Sequence, residues 1–185
     1  MQPEFKAFPK IARYSRDVIV TEKLDGTNAQ IFITDDGKVF AGSRTRWITP
    51  EDDNYGFAKW VQANEKDLLL LGPGQHFGEW WGKGIQRGYG MDEKKFSLFN
   101  TTRWLEHPIP ECCWVVPELY RGPLSDEILG GIMNELKDLG SYANPGFMDP
   151  EGIVIFHTAS NQLYKKTLKD DEKPKSLGVA NGNPK

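Results

Sequence analysis

Two β-branched runs near the N-terminus constrain this chain more than any other feature: Val18-Ile19-Val20-Thr21-Glu22-Lys23 and Gln30-Ile31-Phe32-Ile33-Thr34. Branching at Cβ restricts χ1 and suits a pleated, half-buried surface. Asp35-Asp36-Gly37 comes after the second run and leads into Lys38-Val39-Phe40-Ala41, and Asp-Gly is the pair that a tight hairpin with positive φ demands. The front of the chain is therefore antiparallel sheet. Further strands are predicted at 75–81, 95–99 and 114–119, then at 152–156 and 162–168, the last two joined by a polar hairpin turn.

Helices are fewer. One is predicted after Asp53 or Asn54, because Phe57, Trp60 and Val61 then share a face and a short polar side chain caps the first turn; it ends before Gly72-Pro73-Gly74. A second starts at a Ser125 cap, carries Ile128, Leu129, Ile132, Leu136 and Leu139, and closes at Gly140. Gly130-Gly131 weakens its interior by about 1 kcal/mol each. The sum is an α+β fold, mainly antiparallel sheets flanked by helices.

The chain has 185 residues, 38% of them hydrophobic, and no apolar run near the roughly 18–20 residues of a membrane span. That is one ordinary domain with a real core, expected over 1–170, with 171–185 as a charged, Gly- and Pro-bearing tail and no second domain. The N-terminus lacks the apolar stretch of a secretory signal, which leads us to expect a reducing cytoplasm. Cys112 and Cys113 are adjacent, and His76, His107 and His157 have no zinc-ligand spacing; the thiols read as core filling. With 23 Lys and Arg against 26 Asp and Glu, the net charge of −3 leaves nucleic-acid binding undecided, since a polyanion responds to where positive charge sits.

Glu22-Lys23-Leu24-Asp25-Gly26 sets a lysine at a strand end beside two carboxylates and a glycine that admits close backbone approach. Such a lysine is either a nucleophile or an exposed strand-end residue, and a Lys-x-Asp-Gly match arises by chance in roughly a few per cent of chains this long. Weight comes from an ordered series of downstream segments: Ser43-Arg44, Phe77-Gly78-Glu79, Phe96-Ser97-Leu98-Phe99, Glu151-Gly152-Ile153-Val154 and Tyr164-Lys165-Lys166.

In this order and context the chain resembles the covalent nucleotidyltransferase superfamily of ATP-dependent ligases and capping enzymes, most closely the phage-type RNA ligases that seal nicks in duplexes. The likeness spans about residues 18–169. Thr21 to Asn28 resembles the family's lysine motif, including its Gly-Thr-Asn, and Phe77 to Gln86 resembles its third motif with the Gly-Ile-Gln extension. The resemblance implies an adenylylation-domain fold, a bacterial or phage-infected cytoplasm, ATP as AMP donor, Mg²⁺ or Mn²⁺, and a nicked double-stranded substrate handled by a monomer.

It also implies roles. Lys23 attacks the α-phosphorus of ATP; free lysine is protonated at neutral pH, with a reference pKa of ~10.4, so nearby cations such as Lys165, Lys166 and the metal must favour the neutral amine. Glu151 helps hold the metal, and Glu79 accepts hydrogen bonds from ribose hydroxyls. Phe99 stacks on adenine while strand alternation turns Phe96 away. Asp25 and Gly26 belong to the nucleotide site, and Glu22 contacts the nucleotide or pairs with a cation. Arg44 contacts the sugar and the nick 5′-phosphate, with Asn28 as a second nick contact. Two departures stand out: Asn100 replaces the family's usual Asp after the stacking aromatic, and aligning Lys165 with the first of two alternate lysines puts Thr167 at the second, where Lys166 or Lys169 could compensate.

The leading expectation is an ATP-dependent RNA or DNA ligase. A GTP-using capping-type nucleotidyltransferase shares the lysine chemistry but usually needs a C-terminal OB domain. A noncatalytic nucleotide- or nucleic-acid-binding module of the same fold is disfavoured by the intact Lys23, Glu79 and Glu151 set. Grip on a nick is expected from Arg44, Arg46, Lys83 and Arg87 around the mouth of the site.

Overall fold

A computed structural model describes residues 3–171. The strands form two sheets. The first has four strands in the order β10-β9-β1-β8: β1 (Asp17–Lys23), β8 (Glu118–Pro123), β9 (Gly152–His157) and β10 (Gln162–Thr167). The second has six, β4-β3-β2-β5-β6-β7: β2 (Thr27–Ile33), β3 (Val39–Ser43), β4 (Trp47–Ile48), β5 (Gly74–Gly82), β6 (Lys94–Leu98) and β7 (Cys113–Val115). Every pairing is antiparallel except β6 with β7, which is parallel. The Asp35-Asp36-Gly37 turn behaves as its composition requires, with Gly37 N donating to Thr34 O and Thr34 N to Lys38 O.

Each sheet buries one face under helix. Helix α4 (Asp126–Leu139) packs Leu129, Ile132, Met133 and Leu136 onto Val18 and Val20 of β1 and Ile153 and Ile155 of β9. Its Ser125 Oγ accepts from Ile128 N, and Gly140 ends it in the left-handed region. Helices α1 (Phe57–Ala63) and α2 (Glu65–Leu68) cover the second sheet, where Phe57 meets Trp60, Trp80 and Phe96 at ring separations of 5.1–5.6 Å. Asp53 caps α1 from a distance: its carboxylate accepts from Ala58 N and Lys59 N, two donors that a first turn leaves unpaired.

The expected single strand at 114–119 is divided. Val116-Pro117 breaks it, so that Cys113–Val115 extends the second sheet and Glu118–Pro123 belongs to the first. Proline has no N–H for a ladder, yet Pro117 O still accepts from Glu22 N. Leu24-Asp25-Gly26 makes the same transit between sheets after β1. A third cluster, Leu24, Trp81, Tyr89 and Val116, packs at these two crossings and fixes one sheet against the other. Helix α3 (Thr101–Glu106), not anticipated, is capped by Asn100, whose side chain accepts from Arg103 N. Both cysteines are free, Cys113 buried in the second-sheet core and Cys112 partly buried against it. The expected tail lies outside the described residues except for Asp171. No helix among the described residues is long and apolar enough to cross a membrane.

Candidate active site

Strand alternation decides which side chains face the crossing. On β1, Val18, Val20 and Glu22 are buried on the α4 side, so Ile19, Thr21 and Lys23 occupy the other face. Lys23 Nζ is 2.7 Å from Glu151 Oε2, in a pair whose side chains retain 19% and 6% exposure. Lys23 is paired with Gly152 and Gly152 with Thr167, so Thr167, and two residues earlier Lys165, share the face of Lys23. A Cβ at Gly152 would stand 2.2 Å from Lys166 O, which makes glycine the condition for this close three-strand approach.

The second sheet contributes Asn28, Glu79 and Ser97, directly opposite one another across β2, β5 and β6. Glu79 accepts from Gly26 N at 3.1 Å and from Asn28 Nδ2 at 3.0 Å. Burial pushes its carboxyl up to about 7, opposed by the Asn28 hydrogen bond, the positive charge of Lys23 and the Gly26 N–H, while Glu151 pushes further upward. Gly26 has no room for a side chain, since a Cβ would lie 2.4 Å from Trp80 O and 2.7 Å from Trp81 Cβ. Trp81 in turn donates to Ser97 Oγ. Phe99 lies just past β6, donates its N–H to Phe77 O and is 37% exposed on the Ser97 side, whereas Phe96 is wholly buried in the other direction. Asn100 holds the start of α3 where the family pattern has Asp, so here the side chain has a structural task.

Several expected residues are placed elsewhere. Lys166 is opposite Ile153, itself opposite Glu22, which puts it on the α4 side of the sheet, away from Lys23. It therefore does not compensate for Thr167. Glu22 does not reach the cluster either: its carboxylate accepts from Ser141 Oγ, Tyr142 N and Ala143 N, and burial raises its pKa against those three bonds. Asp25 accepts from Arg87 Nε at 2.8 Å, and Arg87 also pairs with Asp149, which Lys169 reaches at 2.6 Å. Arg46 is bound by Asp52. Arg87 and Arg46 are thus neutralised locally and are not the open cations expected at the mouth; Arg44 is exposed in the β3–β4 turn. Sequence reasoning missed the Asp25-Arg87-Asp149-Lys169 chain and Tyr89, whose hydroxyl accepts from Asp25 N. The separations in sequence, 62 residues from Asp25 to Arg87 and from Arg87 to Asp149, 64 from Asp25 to Tyr89 and 20 from Asp149 to Lys169, carry no local signal.

The RNA ligase family matches residues 16–169, a stretch that holds both sheets and every residue of this cluster. The chain belongs to the RNA ligase family. A Naegleria gruberi RNA ligase solved with ATP and Mn superposes with a TM-score of 0.60 at 19% identity, covering 82% of this chain and 50% of that one. A form of the same enzyme with AMP and Mn gives 0.60 at 19%, over 81% and 49%. An archaeal ATP-dependent RNA ligase gives 0.60 at 16%, over 88% and 48%. This RNA ligase family member thus spans about half the length of these structural relatives and shares their fold. No curated protein matches it.

Proposed function

We propose that this chain is an ATP-dependent polynucleotide ligase that joins a 3′-hydroxyl to a 5′-phosphate at a nick through AMP carried on Lys23. The observation that carries the reading is the Lys23 Nζ to Glu151 Oε2 contact of 2.7 Å, held at the crossing of two sheets beside the buried Glu79. The related Naegleria enzyme, solved with ATP or AMP and Mn, supports the choice of nucleotide and metal. Residues 1–170 then make up the adenylylation domain, acting as a monomer in the cytoplasm.

In the first step Lys23 Nζ attacks the α-phosphorus of ATP; the N–P bond forms, the bond to the β-phosphate oxygen breaks and pyrophosphate leaves. The Glu151 contact fixes where the amine stands. Lys165, on the same face, contributes positive charge that offsets charge on the departing group. Glu79, an acceptor held by Gly26 and Asn28, suits ribose hydroxyls, and Phe99 offers a ring to adenine. The strand's 5′-phosphate next displaces Lys23 from the AMP phosphorus, and the 3′-hydroxyl then attacks the activated 5′-phosphate and expels AMP; Arg44 recognises that phosphate as a planar guanidinium fork.

Among the described residues no group of three or more His, Cys, Asp or Glu gathers as a cation cage. Mg²⁺ is commonly held by one or two carboxylates with waters and substrate phosphates, a donor set in which Glu151 fits as the protein ligand. Such an ion, bound with the triphosphate, supplies positive charge to the phosphate oxygens. The test is incubation with labelled ATP or labelled GTP, followed by nicked duplexes bearing a ribose or deoxyribose 3′ end. Label from ATP that survives denaturation and is consumed by nicked duplex supports the reading; label from GTP alone would favour capping chemistry.

A further inference from the structure

We infer that residues 3–16 form an arm that holds unpaired polynucleotide flanking the join, an inference that rests on the ligase reading. The segment takes neither helix nor strand before Asp17, apart from bends at its end, and every residue in it is exposed. Phe5, Phe8, Ile11 and Tyr14 are 89%, 82%, 86% and 74% exposed. Isolated exposed apolar residues are ordinary, but four in one segment at a constant spacing of three are not. Pro3 and Pro9 oppose a helix. In an extended chain of three residues per turn, positions 5, 8, 11 and 14 form one ridge and Lys10, Arg13 and Arg16 the next.

Charge selects the occupant. The segment carries Lys6, Lys10, Arg13 and Arg16 against Glu4 alone, while the whole chain has 23 Lys and Arg against 26 Asp and Glu. A net-positive arm is therefore mounted on a body more acidic than the chain average. None of these four cations enters an ion pair among the described residues, whereas Arg46 and Arg87 on the body are bound by Asp52, Asp25 and Asp149. Open cations interleaved with open aromatic rings fit a single strand, whose phosphates track the charges and whose unpaired bases present faces for stacking. Paired bases offer no such faces.

Position agrees. The arm is fixed where it meets the body, with Tyr14 O accepting from His157 Nε2 at 2.8 Å and Arg16 O from Leu124 N at 3.0 Å. From there β1 runs the length of the first sheet to Lys23, about 20 Å at ~3.3 Å per residue. The arm thus leaves the body about six nucleotide steps from the reacting amine, at ~3.4 Å per step along a duplex, and meets the strand beyond the join.

The test compares the full chain, a Lys6→Gln/Lys10→Gln/Arg13→Gln variant and a Phe5→Ala/Phe8→Ala variant. Binding is read by fluorescence anisotropy on two nicked duplexes that differ only in a single-stranded extension of about 12 nucleotides, within the span such sites cover. The extension should tighten binding by the full chain, and both variants should lose most of that gain, about tenfold or more for the phenylalanine pair. The glutamine variant should also lower the salt slope on the extended substrate by about 2, at ~0.7 per phosphate contact. Adenylylation should be unchanged in all three. Wild-type binding by both variants, or equal loss on both duplexes, would overturn the inference. So would loss of binding to phosphatidylserine vesicles without loss on the extended duplex, which would make the arm a membrane contact. Failure of the ligase reading would show differently, as absence of label from ATP in all three proteins whatever the arm binds.

Discussion

Lys165 and Lys166 are neighbours in sequence and stand on opposite faces of β10, Lys165 across from Val154 and Lys166 across from Ile153 beneath α4. Only Lys165 shares the face of Lys23. Lys165→Ala should therefore reduce adenylylation by at least about tenfold, the scale on which removal of one charge-stabilising group is felt. Lys166→Ala should leave it within about twofold, and its exposed position predicts a stability change within about 0.5 kcal/mol. Equal losses in the two variants would contradict the strand register.

Phe96 and Phe99 divide in the same way. Phe96 is fully buried against Phe57 and Trp60, so Phe96→Ala should cost about 3–5 kcal/mol in denaturant unfolding. Phe99→Ala should fold normally and weaken ATP binding, with Phe99→Leu retaining more affinity; a stacked base is worth about 1–3 kcal/mol. Unchanged ATP affinity in a folded Phe99→Ala would mean that another ring faces the base.

Glu79 makes stability depend on pH. Its folded carboxyl holds a proton up to about pH 7 against a reference value of 4.5, chiefly through burial. Between those values the folded state binds more protons than the unfolded one, so this contribution is complete below about pH 4.5 and is lost as pH rises through 7. Glu79→Gln removes the dependence. Whatever constant offset the amide brings, the stability difference should move in favour of the variant by on the order of 2 kcal/mol between pH 4.5 and 8. A difference independent of pH in thermal melts would show that Glu79 ionises normally.

Salt should separate the two halves of the reaction. Sealing requires phosphate contacts, whose release of counterions makes log affinity fall by about 0.9 per contact per decade of salt on B-DNA. Loading of Lys23 requires only ATP and metal. In one salt series on one preparation, sealing at subsaturating nick should fall much more steeply than adenylylation; parallel loss would contradict a separate polynucleotide grip.

What was legible in the sequence was what local chemistry decides. The Asp-Asp-Gly turn, the Ser125 cap with Gly140 at the far end, and the β-branched runs specify their elements without help from distant residues. The division at Val116-Pro117 was not legible, because Cys113–Val115 is a strand only through parallel pairing with β6. The same rule governs the site. Lys23 and Glu79 stand out by motif, but the exclusion of Lys166 depends on β10–β9 register, and the task of Glu22 depends on a loop 119 to 121 residues away. Arg87 reads as an open cation until Asp25 and Asp149 are brought beside it.

Whether Lys23 carries AMP is decided by peptide mapping of the adduct. Protein incubated with ATP and Mg²⁺ should gain one AMP on the peptide containing Lys23, in an acid-labile phosphoramidate stable to mild base, and Lys23→Ala should form none while still unfolding cooperatively, at a temperature lowered by loss of the Glu151 pair. An adduct of near wild-type yield on Lys23→Ala, or a base-labile acyl phosphate on Glu79 or Glu151, would contradict the account.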